Sequence, residues 1–496
     1  MIINKQLVDC VLDNGVPSKM LVVSYIDKDG EAKQLTYKIP KEDLFNWEYA
    51  HMKRDADPNW KSWDGKPIKK VPSDNLCSYR ISEMLCSFGD YVSVIYENNF
   101  PRQVICDIEV NVDDSGFPEA STAENPINTI ALCDDKQNII VLARKDLSEK
   151  EIKSIQKKIK DYTKIFTGEY TFSFKWFANE ADMLMFFFNY IKDFPAVTGW
   201  NFLGYDWMYL YNRAEILGIN INHISPTGKF YNFGIDNKSG KVNVKLPYHK
   251  LVYDYLMVYK KWDYAVKYKE SNTLDWVSEQ VLGTKKVEHK LGFKEFYEKD
   301  YENYVFYNAI DVVLVNEIHK KLQTAKIFTS MANIVHCDAM EAFSTIKPIE
   351  TAMILFLYEK NKVIPLVRNK KLDITVDYEG AFVWPTIPGT YRWVYGLDYA
   401  SLYPMTMLQF NISGETFKFK DKNHKPKSNE IKTTSGAVFT KDVKGLIPEF
   451  VELYYGKRKA AKNNRKRCDV EKEELAKILE ARKRKISREE YEKSQQ

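Results

Sequence analysis

Three short stretches of the chain place carboxylates at spacings that suit metal chemistry. In ICDIEV, Asp107 and Glu109 stand two apart, which on a strand projects both acids from one face. Two acids crowded there repel each other, a cost relieved only where that face meets solvent or cations. Mg²⁺ or Mn²⁺ suits such a pair because hard cations take oxygen ligands. On its own the pair is a weak signal and reads first as an exposed structural feature. In VTGWNFLGYDWMYL, Asn201 and Asp206 follow an apolar strand and open a helix, which brings another carboxylate to a sheet edge. In YVFYNAIDVVLV, Tyr307 and Asp311 are four apart. On a helix that spacing puts phenol and carboxylate on one face while Val, Ile and Phe pack inward. A further stretch, LDYASLYPMTM, sets a single carboxylate, Asp398, at the end of an apolar run, ahead of Ser401, Leu402, Tyr403 and Pro404. A lone carboxylate holds a catalytic metal poorly, so Asp398 needs a partner.

Positioning these residues takes several domains. The chain has 496 residues, more than one core accommodates, so three or four domains are expected. The start is β-rich: LVVSYID and KQLTYKI alternate apolar and polar residues around a hairpin signal at Asp29-Gly30. VPSDNLCSYRISEMLCSF has helical period, and VSVIYE and RQVICDIEV read as strands. From about 101 to 330, strands (NTIALCDD, NIIVLARK) alternate with amphipathic helices (ADMLMFFFNYIKDF, NYVFYNAIDVVLVNEIHKKL), which predicts an α/β layer. A hairpin is expected to turn at Asn237 to Gly240, a strand over TYRWVYGLDYASLYP, and one long charged helix from Pro448 onward.

Composition narrows the classes. Hydrophobic residues make up 44%, enough for large cores, yet no apolar run approaches the roughly 20 residues of a membrane span. The N-terminus MIINKQLVDC lacks the pattern of a secretory signal. Seven scattered cysteines with no C-x-x-C pair indicate neither a disulfide framework nor a zinc site. The net charge of +5 is uneven, because residues 457 to 496 hold 15 Lys or Arg against 8 Asp or Glu. That basic tail is a footprint for a polyanion, or simply a solvated helix.

Taken in order, an Asp-x-Glu on a strand, Asn-x-x-x-x-Asp, and Tyr-x-x-x-Asp on a helix resemble the proofreading 3′–5′ exonuclease of family B DNA polymerases. Asp398 to Pro404 match that family's first polymerase motif, Asp-x-x-Ser-Leu-Tyr-Pro, in register. The chain looks most similar to replicative polymerases of large tailed phages, with YNR at 211 to 213, VIP at 363 to 365 and GAF at 380 to 382. The resemblance implies an α/β multidomain protein with a ribonuclease H-like exonuclease domain, a β-rich N-terminal domain, a partial α+β palm and a fingers helix. Residues 1–100 with 331–375 would form the N-terminal domain, 101–330 the exonuclease, 376–445 the palm fragment and 446–496 the fingers helix.

It also implies roles. Asp107, Glu109, Asp206 and Asp311 would hold two Mg²⁺ or Mn²⁺ ions about 4 Å apart, as in other two-metal sites, with Tyr307 orienting the attacking water. The substrate would be a frayed single-stranded 3′ end, since unpairing is cheapest at a mismatch, and the hairpin near Asn237 to Gly240 would help part the strands. Asp398 would ligate metal bridging to an incoming dNTP on a primer-template, and the backbone at Ser401 and Leu402 would cradle phosphate. Tyr403 would exclude a 2′ hydroxyl by a clash. Arg458 and Lys462, four apart on the fingers helix, would reach the triphosphate.

The sequence departs from the family pattern at Met405, where many relatives have Ser, and at the linker Tyr378, Glu379, Gly380, Ala381. A Lys-x-x-x-Asn-Ser-x-Tyr-Gly helix and an Asp-Thr-Asp hairpin, which the family uses to complete the polymerase site, are not found in these residues. Neither Asp27 with Asp29 nor Asp55 with Asp57 can substitute, since both pairs fall in turns or polar loops. The expectation is therefore the N-terminal part of a split or truncated replicative polymerase, with a second polypeptide supplying the remainder. A sliding clamp and a single-strand-binding protein count as further candidate partners, no membrane is expected, and the location would be the cytoplasm, of a host cell if the protein is viral. The alternatives are a free-standing exonuclease and a non-catalytic DNA-binding scaffold.

Overall fold

The computed structural model describes residues 1–88, 100–113, 116–237, 240–263, 270–287, 291–367 and 383–494. The chain divides into two compact units, Met1–Asn46 with Pro72–Leu355 and Trp47–Val71 with Phe356–Gln496. The mixed α/β class expected from the alternating patterns is the one adopted. Among the described residues no helix is long and apolar enough to cross a membrane.

The first unit opens with an antiparallel sheet of β1 (Ile2–Val11), β2 (Pro17–Ile26) and β3 (Ala32–Ile39). Alternation along β2 sends Leu21, Val23 and Tyr25 into a core shared with Ile2 and Ile39. Gly30 closes the turn before β3 with φ of +82°, and a Cβ there would stand 2.8 Å from the Phe100 carbonyl oxygen. Glycine alone fits both demands.

Beyond it lies a six-stranded mixed sheet built from β4 (Gln103–Val110), β5 (Ile127–Asp134), β6 (Asn138–Ala143), β7 (Thr171–Trp176), β8 (Ala196–Thr198) and, after the hairpin strands β9 (Phe230–Asn237) and β10 (Gly240–Pro247), β11 (Leu251–Val252). Its order is β7-β6-β5-β4-β8-β11. The strands β4, β5 and β6 run antiparallel, while β7, β8 and β11 join in parallel. Parallel joins need crossovers: α1 (Glu149–Thr163) supplies the one between β6 and β7, and α2 (Glu180–Lys192) carries the chain from β7 across to β8. A capping box at Ser148 and Glu151 starts α1. Next come α3 (Asp206–Ile216), α4 (Tyr255–Trp262), α5 (Leu274–Leu282), α6 (Phe293–Lys299) and α7 (Tyr301–Leu322). Every residue from Tyr304 to Ile318 is buried, so α7 is not the amphipathic helix its sequence suggested but a core helix packed on β4 and β5.

The hairpin expectation holds for its strands, with Asn237 opposite Gly240. Its tip at 238–239 lies outside the described residues, as do the strand expected at 92–97, the linker Tyr378, Glu379, Gly380, Ala381 and the GAF stretch at 380–382.

In the second unit, the strand expected over TYRWVYGLDYASLYP is not formed. Residues 383–401 contain no strand, and a helix, α8 (Leu402–Gln409), begins inside the expected span. A strand is a ladder, not a local conformation, and no described strand lies alongside this one. Its apolar side chains stand in the open, Leu397 at 98% exposure and Trp393 at 87%. A small sheet follows, of β12 (Phe417–Lys420), β13 (Glu430–Lys432) and β14 (Ala437–Thr440), and then the long helix α9 (Leu446–Ser494). Every side chain described from Gly456 to Arg482 is exposed, so that part of α9 is sustained by its own hydrogen bonds and by pairs along the helix such as Arg465 with Asp469. Helices stabilised only in this way are marginal. Amide exchange measured on the purified chain should be fast across 457–482 and slow in α7; strong protection of both would contradict this account of α9.

Candidate active site

Asp107 and Glu109 lie on β4, third from one edge of the sheet, and both point to the face covered by α7. Antiparallel register sets Asp107 opposite Ala131 and Glu109 opposite Thr129. From α7, Asp311 comes down on the same spot, and oxygens of Asp107, Glu109 and Asp311 all lie within 4.8 Å of one another. The trio is sheltered: Glu109 is 6% and Asp311 2% exposed, while Asp107 is only partly buried.

Asp206 sits outside that trio at the first turn of α3, where the helix dipole favours an acid. Its Oδ1 accepts the Ile108 amide at 3.0 Å. The short β8 pairs with β4 only as far as Ile105, and the Asp206 carboxylate takes up the next free amide beyond it. Gly199 makes this close approach possible, since a Cβ there would stand 2.2 Å from the Cys106 carbonyl oxygen. The structure thus brings three of the four expected acids into mutual reach and fixes the fourth against the backbone between two of them.

Burial and crowding together set the electrostatics of the cluster. Burial, followed by the charge of Asp311, pushes Asp107 up to about 8, while Lys286 and Asn308 pull it partly back. Burial and the neighbouring Asp107 raise Glu109 well above the carboxylate range, and the same two causes raise Asp206. A shift upward means that the ionised cluster is unfavourable by itself.

Two groups unnoticed in the sequence moderate the repulsion. Lys286 Nζ lies 2.5 Å from Asp311 Oδ2 and donates to the Tyr307 hydroxyl at 2.6 Å. Burial would lower its ammonium, but Asp311, Tyr307 and Asp107 outweigh that and hold it above the ordinary lysine range. Asn308 donates from Nδ2 to Asp107 Oδ2 at 2.8 Å. Tyr307 is placed beside Asp311 through Lys286, and burial keeps its phenol protonated.

The segment after β4 is tied down by α3. Tyr205 and Tyr209 hydroxyls donate to the carbonyls of Pro118 and Asn125, and Asn212 Nδ2 donates to Ala120 and Ser121. Arg213 donates to Ala123 and Glu124 and forms a two-pronged ion pair with Glu180 at 2.9 and 2.7 Å. This loop carries Phe117, 56% exposed, whose ring adjoins Tyr205 and Phe293. Asn212 and Arg213 of the YNR stretch, with Tyr205 and Tyr209, therefore clamp the loop beside the carboxylates. Because Arg213 and Glu180 are 11% and 8% exposed, Arg213→Ala strands a buried charge and should cost about 3–5 kcal/mol. A thermal or denaturant midpoint unchanged by the substitution would refute the clamp.

Elsewhere the expected residues are not assembled. Asp398 lies in the exposed segment, Ser401 precedes α8 with φ of 59°, and Leu402 and Tyr403 open that helix at 51% and 75% exposure. Among the described residues no cluster of metal-binding side chains forms around Asp398. Arg458 and Lys462 lie four apart on α9, both exposed.

Two family models match this chain: the exonuclease domain of DNA polymerase family B over residues 57–272, and DNA polymerase family B itself over residues 339–486. The chain belongs to family B of the DNA polymerases. Among family B relatives, it is 30% identical to the DNA-directed DNA polymerase of Escherichia phage RB69 over 392 residues, covering 74% of this chain and 42% of that protein. It is 28% identical to the DNA-directed DNA polymerase of Enterobacteria phage T4 over 411 residues, 78% of this chain and 45% of that one. The DNA polymerase delta catalytic subunit of Caenorhabditis elegans is 28% identical over 304 residues, 58% of this chain and 27% of the subunit. This family B chain thus spans less than half the length of the phage polymerases it matches. Asp107 and Glu109 fall within the exonuclease match, Asp311 lies between the two matches, and Asp398 falls within the polymerase match.

Proposed function

We propose that this chain carries a 3′–5′ exonuclease acting on single-stranded 3′ ends and contributes one part of a DNA polymerase site. The observation that carries the first half is the convergence of Asp107, Glu109 and Asp311 within 4.8 Å. That donor set is all oxygen, buried and strained by its own charge, which fits Mg²⁺ or Mn²⁺ and disfavours softer metals. Asp107, Glu109 and Asp311, with Asp206 beside them, would hold two such ions. Bound ions would supply a water ionised at neutral pH and a counter-charge for the leaving oxygen.

The chain's own residues would do the rest. Tyr307, kept protonated, would hold a water or a phosphate oxygen by hydrogen bonding. Lys286, already bonded to both Tyr307 and Asp311, would fix the phenol relative to the acids. Phe117, on its clamped loop, offers a face on which a terminal base would stack. Recognition through stacking and backbone charge suits any unpaired end, so mismatched ends would be favoured by their ease of melting. The purified chain with Mg²⁺ should shorten a 5′-labelled single-stranded oligonucleotide from its 3′ end and leave it intact in EDTA. A 3′ end that survives with Mg²⁺ would count against the exonuclease.

For the second half, the support is the exposed apolar run around Asp398 together with the polymerase match. We read this run as a strand that pairs with a second polypeptide carrying the rest of the palm, fingers and thumb. Asp398 would then gain its partner carboxylate, with Ser401, Leu402 and Tyr403 lining the dNTP and Arg458 and Lys462 reaching its phosphates. In this layout 1–100 with 331–375 is the N-terminal domain, 101–330 the exonuclease, 376–445 the palm portion and 446–496 the fingers helix.

A further inference from the structure

We infer that Asn308 is the positioning residue of the carboxylate centre, fixing which oxygen of Asp107 is left to face a divalent cation. The inference rests on the metal-centre reading just given. Asn308 is fully buried, one residue beyond Tyr307 and three before Asp311 on α7, so it shares the helix face that meets β4. Its Nδ2 donates to Asp107 Oδ2 at 2.8 Å and lies 3.4 Å from the carbonyl oxygen of the same residue. One amide therefore spans the side chain and main chain of Asp107 and limits rotation of the carboxylate. The orientation of the amide follows from its chemistry, because the reverse would set Oδ1 against two acceptors. Asn308 Oδ1 is left buried with no hydrogen-bond partner among the described residues. A buried carbonyl without a donor is unfavourable, so the side chain is held by what Nδ2 gains and not by satisfaction of both ends.

A neutral donor is the group this place requires. Asp107 is the least buried acid of the trio and is repelled by Asp311, so without a tether its carboxylate would swing toward solvent. A lysine would tether it more strongly but would compete with the incoming cation, as Lys286 does at Asp311. The amide restrains Oδ2 without adding charge, leaving Oδ1 for the cation, in the way that hydrogen bonds behind ligating carboxylates set their orientation.

The test uses the full chain and Mn²⁺ alone, with bound ion measured by the loss of the free Mn²⁺ electron paramagnetic resonance signal. Wild type should show a site that Asp107→Ala removes; equal binding by the two would defeat the metal-centre reading itself. Given that difference, Asn308→Leu, of similar size but without a donor, should raise the Mn²⁺ dissociation constant about 10–100-fold. Its 3′ degradation should recover as Mn²⁺ is raised in proportion, a rescue that damaged packing would not show. Asn308→Ala serves as a second variant. If both bind Mn²⁺ within about twofold of wild type, well below the effect of a working tether, or if neither retains a cooperative melting transition, Asn308 is a packing residue and the inference is overturned.

Discussion

Asp107→Asn will lower Mg²⁺-dependent 3′ degradation by on the order of 10³-fold or more while raising the thermal midpoint of the chain in EDTA. The two effects share one cause. Asp107 is held to about 8 in the folded chain against an ordinary 3.8, so between those pH values the folded state retains a proton that the unfolded state has released. The contribution of Asp107 to stability in EDTA is therefore fully present below about pH 4 and is lost as pH rises through about 8. Asparagine removes the charge and keeps the volume. Each pKa unit corresponds to about 1.4 kcal/mol, and after discounting for relaxation of Glu109 and Asp311 a gain of about 2 kcal/mol is expected, about 3 °C for a unit of this size. Calorimetry in EDTA at pH 7.5 and an oligonucleotide assay in Mg²⁺ check the two halves separately. A variant that melts lower than wild type, or degrades DNA as well, would undo the link between strain and function.

The second large effect concerns synthesis. This chain alone should not extend a primer on a template with dNTPs, because Asp398 has no companion carboxylates within the described residues. Mixed with a polypeptide that supplies the remaining palm, fingers and thumb, it should do so, and Asp398→Ala should abolish extension by the mixture while leaving 3′ degradation untouched. Extension by the chain alone would contradict the divided site. Failure of the mixture to extend, with degradation intact, would favour the free-standing exonuclease. The exposed segment gives a structural readout of the same event: Trp393, 87% exposed in the chain, should move to a buried fluorescence signature on mixing.

How much of this was legible in the sequence depends on the range of the interaction concerned. Asp107 and Glu109 on one face follow from the period of a strand, and Asp311 on the face of Tyr307 from the period of a helix. The hairpin strands β9 and β10 and the crossover helix α2 were likewise visible as local patterns, whereas α1 was not read. The strand expected at Asp398 failed because alternating aromatics specify a strand only when a neighbour provides the ladder, and no described strand provides one. Lys286 was missed for a related reason. Within TKKVEHK it reads as one of several solvated lysines, and its place is set by tethers from distant elements, Tyr162 to the Lys285 carbonyl and the Lys286 amide to Asp275. Asn308 did leave a trace, as a polar residue inside an apolar helix, but the trace has meaning only once α7 is known to be buried on every side. Asp206 was read as a member of the acid group, and its bond to the Ile108 amide could be seen only from the early end of β8.

The measurement that bears most directly on the central claim is the anomalous scattering of Mn²⁺ in crystals of the chain grown or soaked with the ion. The account predicts density among the carboxylates of Asp107, Glu109 and Asp311, lost in Asp107→Ala crystals under the same conditions. Saturating Mn²⁺ that leaves this space without anomalous density, with the three carboxylates still converged, would contradict it.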